Sequence, residues 1–237
     1  MSALPHVSAL VFDVFGTVVD WRSGVARDVG RILAKHGRTD IQPPHFADAW
    51  RRGYQPAMEE VRSGHRPFAR LDVLHREILD RVLQAHGMAL PEADAAWLNR
   101  AWHRLDPWPD AVPGLLRLRT RHFIAPLSNG NIRLLADMAK RAAIPWDAIL
   151  GAEAAGAYKP EPAAYLNTAA ILGLEPAQVA LVAAHNNDLE AARSCGLATA
   201  FVPRIEHGPG QMTDLGATGA WDVIASDFED LADRLGC

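Results

Sequence analysis

Cysteine is scarce in this 237-residue chain, which holds only Cys195 and Cys237. One pair so placed makes no disulfide framework and matches no metal-ligand spacing, so a reduced, cytoplasmic setting is the simplest expectation. Basic runs are lacking too. The net charge is −4 with Arg and Lys scattered, which argues against a nucleic-acid partner. No window approaches the roughly 20 consecutive apolar residues of a membrane helix, so no membrane partner is expected. The opening MSALPHVSALVFDVFG has no basic stretch followed by a sustained apolar segment, and no secretory leader is expected there. What is present is globular composition, 49% apolar and 22% charged. The length fits one large domain, or a core carrying a smaller one.

Two textures divide the chain. Ser8 to Phe12 reads as a buried strand ended by Gly16. From Ser23 to about Leu105 apolar residues recur at helical spacing, as in Val25, Val29, Ile32 and Leu33, with breaks that suggest about four helices and no strand. After Pro107-Trp108-Pro109 short apolar runs alternate with helical stretches. The expected strands are Phe123 to Leu127, Ala148 to Leu150, Val179 to Ala184, Ala198 to Val202 and Asp222 to Ser226. That alternation is the pattern of parallel βαβ units. The expected fold is therefore α/β, a doubly wound parallel sheet from residues 1–20 and 106–237, interrupted at 21–105 by an α-helical insertion. Pro126 conflicts with a central strand, since it lacks a ladder donor.

Open parallel sheets bind ligands beyond the carboxyl ends of their strands. Asp13 follows the first strand, Ser128, Asn129 and Asn131 the second, Tyr158-Lys159-Pro160 the third, and His185-Asn186-Asn187-Asp188 the fourth. Each has a plain structural reading as a helix cap or a solvated loop residue. Their joint placement at four successive strand ends points instead to one polar crevice.

These four stretches, in order and spacing, resemble the four motifs of the haloacid dehalogenase (HAD) superfamily, and the match spans the chain, helical cap included. Two departures point to the L-2-haloacid dehalogenase branch rather than to the phosphatases. Phosphatases of the family carry Asp-x-Asp, but the second position here is Phe15, which cannot exchange a proton. An alkoxide leaving group needs acid help, whereas halide leaves well without it. The magnesium-binding acid of the fourth phosphatase motif is replaced by Ala184, which removes a hard oxygen ligand. The resemblance thus implies no metal, no cofactor and a small-molecule haloacid substrate. Family members are commonly dimers, so a homodimer is one expected assembly.

The resemblance also implies roles. Asp13 would attack C2 of a 2-haloacid, expel halide and form an ester that water hydrolyses to the inverted 2-hydroxyacid. Lys159 would keep it ionised. Ser128 and the backbone N–H groups after Asp13, at Val14 and Phe15, would hold the substrate carboxylate. Ala49-Trp50-Arg51 matches the family's Leu-Trp-Arg, so Arg51 and Asn129 would cradle the halide, with Arg52 as the alternative register. Thr17 and Asp188 would orient Asp13, Lys159 and water. Tyr165 matches a dehalogenase tyrosine and also fits helix packing. Ala183-Ala184-His185 stands where the dehalogenases read Ser-Ser-Asn before the helix, and Asn187 just beyond it would contact substrate or halide. Three readings of His185 stand open: it positions or deprotonates water, its N–H reaches a small halide, or it braces the loop. Trp21, Trp50, Trp102, Trp108 and Phe15 are candidates for an apolar pocket wall. The rivals are a Mg-dependent HAD phosphatase and a non-catalytic binding protein on the same fold.

Overall fold

A computed structural model describes residues 3–237, so residues 1 and 2 of the expected 1–20 segment lie outside it. Strand β1 (Ala9–Phe12) is followed by the two-residue strand β2 (Val19–Asp20). Helices α1 (Trp21–Lys35), α2 (Pro43–Arg52), α3 (Tyr54–Arg62), α4 (Leu71–Ala85) and α5 (Glu92–Asn99) come next, and a 3-10 turn at Arg100–Arg104 closes the helical block. Strand β3 (Asp106–Pro107) pairs antiparallel with β2, so the two connections to that block form one ribbon. Then follow α6 (Ala111–Leu118), β4 (Phe123–Pro126), α7 (Ile132–Ala142), α8 (Ala152–Ala155), α9 (Pro162–Ile171) and β5 (Val179–Ala183). The chain ends through α10 (Asn186–Ser194), β6 (Ala198–Phe201), β7 (Val223–Ile224) and α11 (Phe228–Leu235).

The main sheet runs β4-β1-β5-β6-β7, and every pairing in it is parallel. Side chains alternate across a strand, so each strand feeds two cores. Leu10 and Phe12 of β1 join Val182, Leu134, Met138 and Phe228 on one face. Val11 joins Leu181, Tyr165, Leu189 and Trp221 on the other. A sheet apolar on both faces and covered by helices on both is the doubly wound arrangement.

Three sequence expectations change. Ala148 to Leu150 forms no strand. Asp147 meets the edge of β4 instead, its N–H donating to Ile124 O and its carboxylate accepting from Ile124 N–H, both at 2.9 Å. Pro126 is no conflict, because β4 is an edge strand. Phe123 donates to Ser8 O just before β1 and Leu127 to Phe12 O at its end, so Pro126, like Ile124, faces the open side, where a missing N–H costs nothing. The helical block holds five α-helices among the described residues rather than about four, because Gly53 separates α2 from α3.

Contacts between the helical block and the sheet-forming part are specific. His103 is buried, with Nδ1 2.9 Å from Asp137 of α7 and Nε2 2.9 Å from Asp72 of α4. Asn131, just before α7, donates to the other Asp72 oxygen at 3.0 Å. Across the opposite rim Arg62 donates to Lys159 O at 2.9 Å and Tyr158 to Ala69 O at 2.7 Å.

Candidate active site

The chain order reverses between β1 and β5, the switch point at which open α/β sheets bind ligands. Asp13 and His185 stand there, just past the two strand ends. The Asp13 N–H continues the ladder to Val182 O at 3.0 Å, which fixes the backbone and turns the carboxylate into the crevice. Gly16, at φ +92°, then turns the chain back in a conformation that favours glycine.

Both Asp13 oxygens are held. Oδ1 accepts from Lys159 Nζ at 2.8 Å; Oδ2 accepts from Thr17 Oγ1 at 2.7 Å and lies 3.0 Å from His185 Nδ1. Thr17 in turn accepts the Ala184 N–H at 2.9 Å, tying the first motif to the end of β5. Lys159 also contacts Asp188 Oδ2, while Tyr165 donates to Asp188 Oδ1 at 2.6 Å. Asn129 Oδ1 accepts the Lys159 N–H at 2.8 Å, so the second motif positions the loop that carries the lysine. Lys159 therefore follows the short helix α8, not a strand: three strand ends and one loop converge, where four strand ends were expected.

Charge states follow from these contacts. Burial works against ionised Asp13, but the Lys159 charge and the His185 bond outweigh it and hold its pKa well below the usual carboxylate range. Burial likewise opposes charged Lys159, and Asp13 and Asp188 overcome it, raising the ammonium above its ordinary value. Burial disfavours charged His185 too, yet its bonds to Asp13 and Glu206 push it well above its ordinary value. Burying an ion costs several kcal/mol unless it is paired, and here each is paired at least once.

Above this floor is a cavity of about 370 Å³ lined by Asp13, Phe15, Arg51, Tyr54, Tyr165 and His185, with Asn129, Lys159, Asn187 and Asp188 around it. Arg51, on the last turn of α2, lies 4.0 Å above the Tyr54 ring and 5.3 Å from Trp21. Its Nη1 is buried without a hydrogen-bond partner among the described residues. Arg52 is exposed and does not line the cavity. Ser128 and Val14 are buried beside the cavity rather than in its wall, and Ser128 Oγ accepts the Gly130 N–H at 3.1 Å. The tryptophans are a second layer. Trp102 packs edge-on to Phe15 at 5.7 Å and Trp21 stacks on Trp102 at 6.0 Å, while Phe15 and Tyr54 form the wall.

Glu206 was not singled out in the sequence. It lies in the loop after β6, buried, with Oε1 2.5 Å from His185 Nε2 and Oε2 accepting from Trp21 Nε1 at 2.5 Å. Extending the strand-end rule to β6 reaches that loop. His185 is the N-cap residue of α10, but its side chain makes no capping bond. Asp214 accepts the Asn186 N–H at 2.8 Å in its place, which leaves both imidazole nitrogens for Asp13 and Glu206.

The HAD family includes magnesium enzymes, so the donor set needs testing against that ion. Mg²⁺ requires near-octahedral oxygen ligands. Here an ammonium lies between Asp13 and Asp188, an imidazole takes Asp13 Oδ2, and position 184 is alanine. Among the described residues no three His, Cys, Asp or Glu side chains are arranged to hold a metal ion. The residues do not fit magnesium.

A charged crevice at the switch point of a doubly wound sheet, roofed by an inserted helical block, is the layout of an enzyme. The family model of haloacid dehalogenase-like hydrolases matches residues 7–196, and the chain belongs to that family. Among solved structures it is similar to the defluorinating L-2-haloacid dehalogenase Rha0230, with a TM-score of 0.95 and 51% identity over 98% of each chain. The L-2-haloacid dehalogenase PA0810 gives a TM-score of 0.94 and 45% identity, over 97% of this chain and 99% of that one. An (S)-2-haloacid dehalogenase of Xanthobacter autotrophicus is 29% identical over 84% of this chain and 76% of its own length.

Proposed function

We propose that this protein is a hydrolytic dehalogenase of short-chain 2-haloacids, with Asp13 as the nucleophile. The observation that carries the reading is the pairing at the cavity floor: buried Asp13 is kept ionised by Lys159, and Phe15 stands where a proton donor would serve an alkoxide. A carboxylate stripped of water but kept charged is a competent nucleophile toward carbon bearing a halogen.

Asp13 attacks C2 in line, the C–halogen bond breaks on the opposite side, and an ester joins Asp13 to the substrate. Arg51, with a buried donor unsatisfied among the described residues, suits the departing halide. Asn129, Asn187 and backbone N–H groups near Val14 and Phe15 are the neighbouring donors for substrate. Ser128 supports the turn that carries Asn129. Water then adds at the Asp13 carbonyl carbon, Asp188 takes its proton, and the 2-hydroxyacid departs. Both His185 ring nitrogens are engaged on the nucleophile side, which favours a role at Asp13 over one at the halide. Residues 21–105 act as a cap over a core of 1–20 and 106–237, and closure excludes water during displacement. No helix among the described residues is long and apolar enough to cross a membrane, and the proposed compartment is the cytoplasm.

The similarity to a defluorinating enzyme, together with a cavity of about 370 Å³ walled by aromatic rings, favours small substrates such as haloacetates and 2-halopropionates. The test is halide release from the enantiomers of 2-chloropropionate and from fluoroacetate in excess EDTA. Release from the L-enantiomer with chelator present, abolished in Asp13→Asn, is expected. A requirement for Mg²⁺, or hydrolysis of phosphate esters instead, overturns the reading in favour of a phosphatase.

A further inference from the structure

The two partners of His185 define its protonation. Nδ1 lies 3.0 Å from Asp13 Oδ2 and Nε2 lies 2.5 Å from Glu206 Oε1. Ionised carboxylates only accept, so both ring nitrogens carry hydrogen and the ring is an imidazolium. An imidazolium cannot take a proton from water. It can donate one hydrogen bond to Asp13 and keep donating it.

Glu206 is built to maintain that state. Besides His185 it is held by the Trp21 indole N–H at 2.5 Å, His207 Nε2 lies 3.4 Å from Oε1, and the Arg51 charge favours its ionised form. The chain also makes room for it: a Cβ on Gly16 would sit 2.0 Å from Glu206 Oε2. The two Asp13 oxygens differ accordingly. Oδ2 accepts from both Thr17 and His185, whereas Oδ1 accepts, among the described residues, from Lys159 alone. Oδ1 keeps the freer lone pair for attack on carbon, and Oδ2 becomes the carbonyl oxygen of the ester.

We propose that Glu206 is a positioning residue for ester hydrolysis, holding His185 doubly protonated so that Thr17 Oγ1–H and His185 Nδ1–H form an oxyanion hole on Asp13 Oδ2. This rests on the ester intermediate of the proposed function. Water adds to Asp13 Cγ, its proton passes to Asp188, and the carbonyl electron pair moves onto Oδ2 between the two donors. The pair then returns, the Cγ–Oδ1 bond breaks, and the leaving alkoxide takes the proton from Asp188. Asp13, now carrying the hydroxyl from water, releases its proton to solvent. Alkylation neutralises Asp13 and removes one of the two anions facing His185. Glu206 is the anion that remains, with Lys159, Asp188, Arg51 and His207 as the other charged or titratable groups around the pair.

The test follows single turnovers of a 2-haloacid in wild-type, Glu206→Gln and His185→Asn between pH 5.5 and 9. Halide release reports alkylation, and protein mass reports loss of the ester. In Glu206→Gln alkylation stays within a few-fold of wild-type. Hydrolysis slows at pH 8 by less than the roughly 10²–10³ of a lost oxyanion donor, because the neutral ring keeps Nδ1–H but donates without the positive charge. Its rate falls as pH rises through neutrality and recovers at pH 5.5, because the imidazole now deprotonates once Asp13 is an ester. His185→Asn, which keeps a neutral donor near the Nδ1 position, retains partial hydrolysis that is flat across neutral pH. Ester hydrolysis in Glu206→Gln equal to wild-type, or rising with pH through neutrality, overturns the proposal. So does loss of hydrolysis in His185→Asn beyond about 10³, which marks a base and not a donor. Wild-type that releases no halide and gains no mass defeats the dehalogenase reading itself, a distinguishable result.

Discussion

Lys159 joins the two carboxylates of the crevice: its Nζ lies 2.8 Å from Asp13 Oδ1 and also contacts Asp188 Oδ2. One ammonium thus serves both the proposed nucleophile and the proposed acceptor of the water's proton.

Replacing Lys159 with Met leaves buried Asp13 and Asp188 facing each other without their cation. Breaking a buried pair costs about 3–5 kcal/mol, so a large drop in melting temperature is expected. Alkylation, read as single-turnover halide release, should fall by at least about 10³. The acid limb of kcat/KM should move upward, because the Lys159 charge is the largest influence lowering the Asp13 pKa.

The same shifts set the pH dependence of stability. Asp13 titrates below its ordinary value of 3.8, so its contribution is present above that pH and is lost on acidification toward its folded value. His185 titrates above its ordinary 6.5, so its contribution is complete below 6.5 and is lost as pH rises through its folded value. Lys159 repeats this above 10.5. Thermal unfolding against pH should show a plateau above pH 4 and a decline on the alkaline side. In Glu206→Gln that decline should begin at lower pH.

Arg51 and Arg52 separate cleanly. Arg51 Nη1 is buried and unpartnered among the described residues, whereas Arg52 is exposed. Arg51→Ala should slow halide release by about 10²–10³. Arg51→Lys should recover only part of it, since a point charge does not replace the planar guanidinium over Tyr54. Arg52→Ala should leave the rate within a few-fold of wild-type.

His103 bridges Asp72 and Asp137, which lie on opposite sides of the cleft. His103→Ala leaves both carboxylates short of a donor and should cost about 1–3 kcal/mol. Looser docking of the helical block should also raise KM more than it lowers kcat. A variant with an unchanged melting temperature and KM would remove this latch from the account.

Much of this was legible in the sequence, for a physical reason. Buried parallel strands are continuous apolar runs, and the residues just beyond them form the crevice, so Asp13, Asn129 and His185 could be located from the pattern. Lys159 is expected after a third strand at Ala148 to Leu150 that does not form, since the Asp147 side chain bonds the edge of β4 there, and it reaches the crevice from a loop instead. Ser128 is expected to donate to substrate, and its hydroxyl oxygen accepts the Gly130 N–H in a local turn, which leaves its own O–H free to donate. Glu206 stayed hidden because a lone glutamate in a surface-like loop carries no periodic signal. Its importance comes from Trp21 and His185, residues far away in the chain that only folding brings to it.

The most direct test of the account is a single turnover of excess enzyme with L-2-chloropropionate in ¹⁸O-water, followed by peptide mass spectrometry. The account predicts that the first label appears in the Asp13 carboxylate, with unlabelled 2-hydroxypropionate released. Label found in the product hydroxyl and none at Asp13 would mean that water attacks carbon directly, and the carboxylate would be no nucleophile.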